Sequence, residues 1–375
     1  MKKQSIQVTA PLAPDLDVLL RLNKEIVKSG HYTNFGEKVA ELERRLCELQ
    51  GIKHLRLANN GTMALQVILS MFAKKDKRYV ITTPFTFAAT ASAIVMSGYE
   101  PYFVDIDPET LNMDVEKVAG VMSRIGNDVA AILPVHVFGN PCYPIEFEKL
   151  SWKYHVPLLF DACHTFASSY LGKPLCSYGD ASAMSYHPTK IFHCGEGGGV
   201  VLNDASQYSR SKENLNFGYT LSGDISLIAG NAKMSEFNAA IGLSVLGAVP
   251  DELANREKLA AIYTSKFERI DEIRFQKKMD GYINNNQYYP IILDTVLRER
   301  VVSRLNAENI FPRKYFSPSL SSTVPYSRYS HEPCLVSEKI SSEILCIPMY
   351  GALSAGDAEL IADLVAESVV ESVMA

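Results

Sequence analysis

Short apolar runs recur along the first half of the chain, each too brief and too continuously hydrophobic for an amphipathic helix. They are "HLRLA" (54–58), "YVITT" (79–83), "PYFVD" (101–105), "VAAILPV" (129–135), "PLLFD" (157–161), "ASAMS" (181–185) and "GVVL" (199–202). Strands apolar on both faces are what a buried, mainly parallel sheet requires. Between the runs the period lengthens. Val39, Leu42, Leu46 and Leu49 predict a helix over 37–49, with Gly51 placed to end it. Helices are likewise predicted over 63–72 and 88–97, each following a strand end.

Strands alternating with helices predict an α/β fold with an open sheet about seven strands wide, whose ligands lie beyond the carboxyl ends of the strands. Asn60-Gly61-Thr62, Thr83 to Phe87, and Asp161 to His164 occupy such positions, and Lys190 with the glycines up to Gly199 falls between the last two strands. After "AAIGLSVLGAVPDEL" (239–253), read as a long helix interrupted at Gly247 and Pro250, the pattern shifts to short strands and helices. A large domain over 1–247 and a smaller C-terminal α/β domain over 248–375 are expected.

Composition narrows the function classes. The 375 residues are 47% hydrophobic and 21% charged, with a net charge of −5, as in a soluble globular protein. Without a Lys/Arg stripe no nucleic-acid surface is expected; "KKDK" (74–77) reads as a solvated turn. "MKKQSIQVTAPLAPDLD" lacks the apolar core of a signal peptide, and no window approaches a spanning helix. Seven cysteines without a CxxC pair point to reduced thiols and a cytoplasmic location. The pairs Cys163-His164 and His193-Cys194 match no structural zinc spacing, so no metal is expected.

Several strand-end residues have chemistry in common. Gly61 and Thr62 open a helix, where free N–H groups and a hydroxyl make an anion site, although taken alone this is also an ordinary cap. Ser185 could add a phosphate ligand. Asp161 ends an apolar strand, where a buried carboxylate needs a cationic or hydrogen-bonded partner, and a protonated pyridine nitrogen would serve. His164 could orient Asp161, touch a ring substituent, or be a core histidine. Phe87 could cover a planar ligand or be core. The glycines at 195–199 precede a strand rather than a helix, and Val200 breaks the GxGxxG pattern, so they are no dinucleotide loop. An anion cradle, an aromatic plate, a strand-end carboxylate and Lys190 together describe a pyridoxal phosphate site. There the lysine would join the aldehyde, be displaced by an incoming amine and then act as base.

At these residues the sequence resembles the DegT/StrS family of pyridoxal phosphate-dependent nucleotide-sugar aminotransferases, within the aspartate aminotransferase superfamily. "NGTMAL", "TPFTFAATASAI", "FDACHTF", "SYHPTKIFHCGEGGG", "GNAKMSEFNAAIGL" and "CIPMYGALS" are similar to its motifs NGTxAL, PFTFxAT, EDAAQAxG, SFxxxKxxxxGEGG, GxNxRMxExxAAxGL and LPMYxxLS, so the likeness runs through nearly the whole chain. It implies a large domain with a seven-stranded, mostly parallel sheet. It also implies that Lys190 is the Schiff-base lysine, Asp161 the partner of the pyridine nitrogen, Phe87 the stacking ring and His164 a neighbour of the cofactor hydroxyl. Gly61, Thr62 and Ser185 would hold the phosphate. Asn231 would reach the cofactor of a neighbouring subunit, implying a homodimer with shared active sites. Phe160 and Cys163 depart from the family's Glu and Ala without removing a group the mechanism needs, and Lys190 argues against the dehydratases that carry His there.

"FPRKYFSPSL" (311–320) is similar to the segment of members that aminate C4 of a dTDP-linked 4-keto-6-deoxyhexose, with Arg313 and Tyr315 as expected substrate contacts and Ser317 as a departure. By family habit L-glutamate would donate the amine, and the product would feed O-antigen or other glycan synthesis. Amination at C3, sugar dehydration and a non-catalytic binding role are the alternatives.

Overall fold

The computed structural model describes residues 5–373; Lys2 and Lys3 of the amino-terminal stretch lie outside the described residues. Seven strands form the central sheet: β1 (His54–Ala58), β2 (Tyr79–Thr82), β3 (Glu100–Phe103), β4 (Val129–Ile132), β5 (Leu159–Asp161), β6 (Ala181–Ser185) and β7 (Gly198–Leu202). Four of them run in the order β1-β7-β6-β5 and three in the order β3-β2-β4, and the parallel bridges Ile132–Leu158 and Val135–Asp161 join β4 to β5. All neighbours are parallel except β7, which is antiparallel to both β1 and β6.

Each apolar run is continuous because both faces are covered. Along β7, Val200 and Leu202 enter one core with Leu65 and Ile68, whereas Val201 enters another with Leu42 and Leu46. Helix α1 (Glu37–Gln50) buries Leu42 and Leu46 completely, worth about 1.5–3 kcal/mol each. It ends where Gly51 turns left-handed at φ 67°. Its start lacks a local cap. The Glu236 carboxylate, distant in sequence, accepts the N–H groups of Lys38 and Val39 at 2.9 and 3.1 Å instead.

Helices α2 (Gly61–Phe72) and α3 (Ala88–Met96) follow β1 and β2. The first begins two residues earlier than its apolar period indicates, because the Asn60 side chain accepts the Met63 N–H at 2.8 Å. The helix expected across 239–253 is interrupted at Gly247 as read: α4 (Glu236–Val245) and α5 (Val249–Phe267) are separated by a 3₁₀ turn at Leu246–Ala248, whereas Pro250 makes no second break. Pro250 lies in the first turn of α5, where its missing N–H has no intrahelical acceptor to lose.

Beyond α5 the chain builds a separate core in which the antiparallel strands Tyr289–Ile292 and Ile344–Ile347 pack with Tyr263, Val301 and Val365. Ile6–Gln7 pairs in parallel with Ile310–Phe311, so the amino-terminal segment also lies against this part. A further buried cluster, including Phe85, Phe138, Tyr288 and Phe316, joins the two cores beside the carboxyl edge of the sheet.

Candidate active site

The parallel strands deliver their carboxyl ends to one edge, and antiparallel β7 starts there. Gly198 pairs with both Ala58 and Ser185. A Cβ on Gly198 would lie 2.3 Å from the Asn60 carbonyl, so only glycine lets β7 enter beside the turn into α2. Gly61 in turn brings its backbone against Ser185, whose Cβ would lie 3.0 Å from a side chain there. The result is a cavity of about 400 Å³ at this edge.

Gly61, Thr62, Phe87, Asp161, His164, Ser185, Lys190 and Tyr315 all border that cavity. Arg313 and Asn231 do not. Both are exposed; Arg313 is tied to Cys346 through backbone bonds of 3.0 and 2.7 Å, and the Asn231 carbonyl accepts from the Asn59 amide at 3.3 Å.

Each side chain has a physical setting. At the start of α2, Asn60 takes the Met63 N–H, and the N–H groups of Gly61 and Thr62 have no intrahelical acceptor. Phe87 caps α3 and is 62% exposed, leaving a ring face free at the cavity. Asp161 is buried, with Oδ1 accepting the Cys163 N–H at 3.1 Å and Oδ2 accepting the Thr90 hydroxyl at 2.7 Å. Because the Thr90 proton is committed to Asp161, the 2.8 Å contact between Thr86 and Thr90 makes Thr86 the donor. A directed chain of hydroxyls therefore ends on the carboxylate.

Burial pulls the Lys190 amine below the usual lysine range, opposed by the nearby Cys163, Asp161 and Tyr315 groups, and its Nζ lies 5.7 Å from the centre of the Tyr288 ring. Burial, and then the Lys190 charge, hold His164 well below the ordinary imidazole range. Its ring lies parallel to Phe316 at 6.1 Å and meets Tyr288 edge-on at 5.1 Å, and its buried Nδ1 has no hydrogen-bond partner. No bond joins it to Asp161 among those found. Burial pushes the Cys163 thiol up, so it stays protonated.

Thr86, Thr90, Tyr288 and Phe316 also belong to this site; the first two and Phe316 lie inside motifs singled out in the sequence without being given a role, and Tyr288 lies outside them. Thr86 and Thr90 are one helical turn apart, a spacing that could have marked them. Tyr288 and Phe316 come from the C-terminal part, and only folding brings them to the cavity. The residues present fit pyridoxal phosphate: an anion cradle, a buried carboxylate, an amine and an imidazole border one small cavity.

Comparisons with known proteins bear on the family and the fold. A dTDP-4-amino-4,6-dideoxy-D-glucose transaminase of Shigella dysenteriae is 35% identical, covering 97% of this chain and 99% of its own. A UDP-4-amino-4,6-dideoxy-N-acetyl-beta-L-altrosamine transaminase of Campylobacter jejuni is 33% identical, covering 74% of this chain and 73% of its own. Among solved structures, DesI determined in the presence of its TDP-sugar product superposes with a TM-score of 0.90 at 31% identity, covering 99% of this chain and 96% of that one. Residues 19–366 match the DegT/DnrJ/EryC1/StrS aminotransferase family, and the chain belongs to that family.

Proposed function

We propose that the protein binds pyridoxal phosphate in the cavity at the carboxyl edge and transfers an amino group from L-glutamate to C4 of dTDP-4-keto-6-deoxyglucose. The observation that carries this reading is that Lys190 and Asp161 border the same small cavity, near enough for the carboxylate charge to act on the amine. The sugar is supported by full-length similarity to the Shigella transaminase and by the resemblance of the segment around Arg313 and Tyr315. Tyr315 borders the cavity and would meet the sugar; Arg313 would reach it only from outside the present lining.

Pyridoxal phosphate, when bound, supplies an aldehyde that takes up an amino group and a ring that draws off electrons from the adjacent carbon. Asp161, steadied by Thr90 and the Cys163 N–H, would hold the ring nitrogen in its protonated form. Gly61, Thr62 and Ser185 would hold the phosphate, and Phe87 would cover the ring. His164, held neutral, would stand beside the ring hydroxyl. Lys190 Nζ, shifted toward the neutral form by burial, would be the base that accepts the proton from the amino acid's α-carbon.

The same reading includes a homodimer in which Asn231 serves the neighbouring cofactor. Its support is the exposed segment just before it, where Leu221, Ile225 and Ile228 are 104%, 66% and 99% accessible. Replacing Leu221 and Ile228 with Asp should give monomers by sedimentation velocity; dimers of unchanged affinity would refute this assignment. A division into two domains near residue 247 is supported by the 3₁₀ turn between α4 and α5 and by the separate core that follows.

The deciding experiment is glutamate-dependent amination across dTDP-, UDP- and GDP-linked 4-keto and 3-keto sugars. Turnover should be greatest with the dTDP-linked 4-keto-6-deoxyglucose. Faster turnover of a 3-keto sugar would overturn the assignment of C4.

A further inference from the structure

We propose that Gln287 and Asn285 are positioning residues, which set the placement of Lys190 against His164 and make it depend on the C-terminal part of the chain. The proposal rests on the function given above. Lys190 stands in the irregular stretch between β6 and β7, where no sheet or helix ladder fixes its backbone. Beyond the turn bond from the Lys190 N–H to the His187 carbonyl at 2.8 Å, Gln287 restrains the two flanking residues. It is completely buried; its Oε1 accepts the Ile191 N–H at 3.1 Å and its Nε2 donates to the Thr189 carbonyl at 3.0 Å. One amide thus grips the backbone on both sides of Lys190. A carboxamide suits the task because it carries a donor and an acceptor in one rigid plane, whereas a carboxylate keeps only the acceptor.

Two residues earlier, Asn285 grips the other loop. Its Nδ2 donates to the carbonyls of His164 and Phe166 at 2.9 and 2.8 Å, while its Oδ1 accepts the Gln287 N–H at 2.9 Å. The next residue, Tyr288, lies against both Lys190 and His164. A single extended stretch from beyond α5 therefore ties together the two loops that carry the amine and the imidazole.

That stretch is itself anchored. Arg256 on α5, 1% exposed, donates to the carbonyls of Asn286 and Gln287 at 3.0 and 3.2 Å. Its Nε donates to Glu252 at 2.6 Å, and the same carboxylate accepts the Gly351 N–H at 2.9 Å. A buried ion pair that also satisfies three backbone groups holds one arrangement and resists others.

The test uses hydrogen exchange of the full chain, resolved at Ile191, beside steady-state amination kinetics. Gln287→Leu removes the acceptor and should speed exchange at Ile191 about tenfold, the worth of one buried hydrogen bond. Val365→Ala, which loosens the C-terminal core elsewhere, should leave Ile191 slow. Gln287→Glu retains the acceptor and should keep Ile191 slow, yet it leaves the Thr189 carbonyl without its donor, so kcat should fall about tenfold with KM for the sugar unchanged. Should Gln287→Leu fail to fold, Gln287→Glu carries the test alone. Unchanged exchange in Gln287→Leu, equal acceleration in Val365→Ala, or an undiminished kcat in Gln287→Glu would each overturn the proposal. The exchange readout is independent of the reaction: if Ile191 responds as expected while no keto-sugar is aminated, the positioning role stands and the functional assignment fails.

Discussion

Asp161 shows how much of a site can depend on one residue and its immediate support. Among the described residues no cation is hydrogen-bonded to the carboxylate; the Thr90 hydroxyl and the Cys163 N–H hold it at the cavity. Asp161→Asn should therefore lower amination about 10²–10³-fold, because a neutral amide cannot keep the ring nitrogen charged. Thr90→Val should cost about tenfold by removing one charge-assisted bond. Lys190→Ala should reduce turnover by about 10⁴-fold or more, with the cofactor retained noncovalently. Steady-state kinetics on the three variants check these values, and near-normal turnover in Lys190→Ala would end the mechanism. Lys190 and Asp161 could be picked out from their places between strands and at a strand end. Thr90 could not, since a buried threonine on a helix is usually packing until its partner is known.

Among the elements, the junction of β1, β7 and α2 carries the anion cradle. Gly198 sits where any Cβ would strike the Asn60 carbonyl. Gly198→Ala should destabilise the protein by about 1–3 kcal/mol and weaken cofactor binding, by pushing the α2 terminus away from Ser185. Thermal unfolding and cofactor titration would show it; an unaffected cofactor affinity would mean that the junction does not set the cradle. The strand runs were legible because burial on both faces leaves an unbroken apolar signature. The antiparallel sense of β7 was not, because a fully buried strand reads alike in either direction. The remote cap of α1 by Glu236 escaped for a similar reason: local sequence shows a missing cap but not what replaces it.

For the molecule as a whole, buried titratable groups make stability depend on pH. His136 is fully enclosed, stacked on Phe160 at 4.5 Å, with Nδ1 accepting the Cys142 N–H at 3.0 Å; burial lowers its pKa to about 3. Between about pH 6.5 and 3 the unfolded chain takes up a proton that the native state refuses, so stability falls as pH falls, by up to about 1.4 kcal/mol per unit. His136→Gln should flatten the decline of the melting temperature between pH 6.5 and 4.5, leaving the slope from His164, which shifts in the same direction. An identical slope in the variant would remove His136 as the cause.

The sequence by itself determined the alternation of strands and helices, the edge of the sheet at which ligands would gather, and most of the residues that border the cavity. These are local matters, since apolar periods, caps and strand ends are written in neighbouring residues. Tertiary structure alone decided that Thr90 supports Asp161, that Tyr288 and Phe316 close around His164, and that Gln287 grips the backbone beside Lys190. Those contacts join residues far apart in the chain, and a pairing across that distance is fixed by which buried donors and acceptors folding leaves without water.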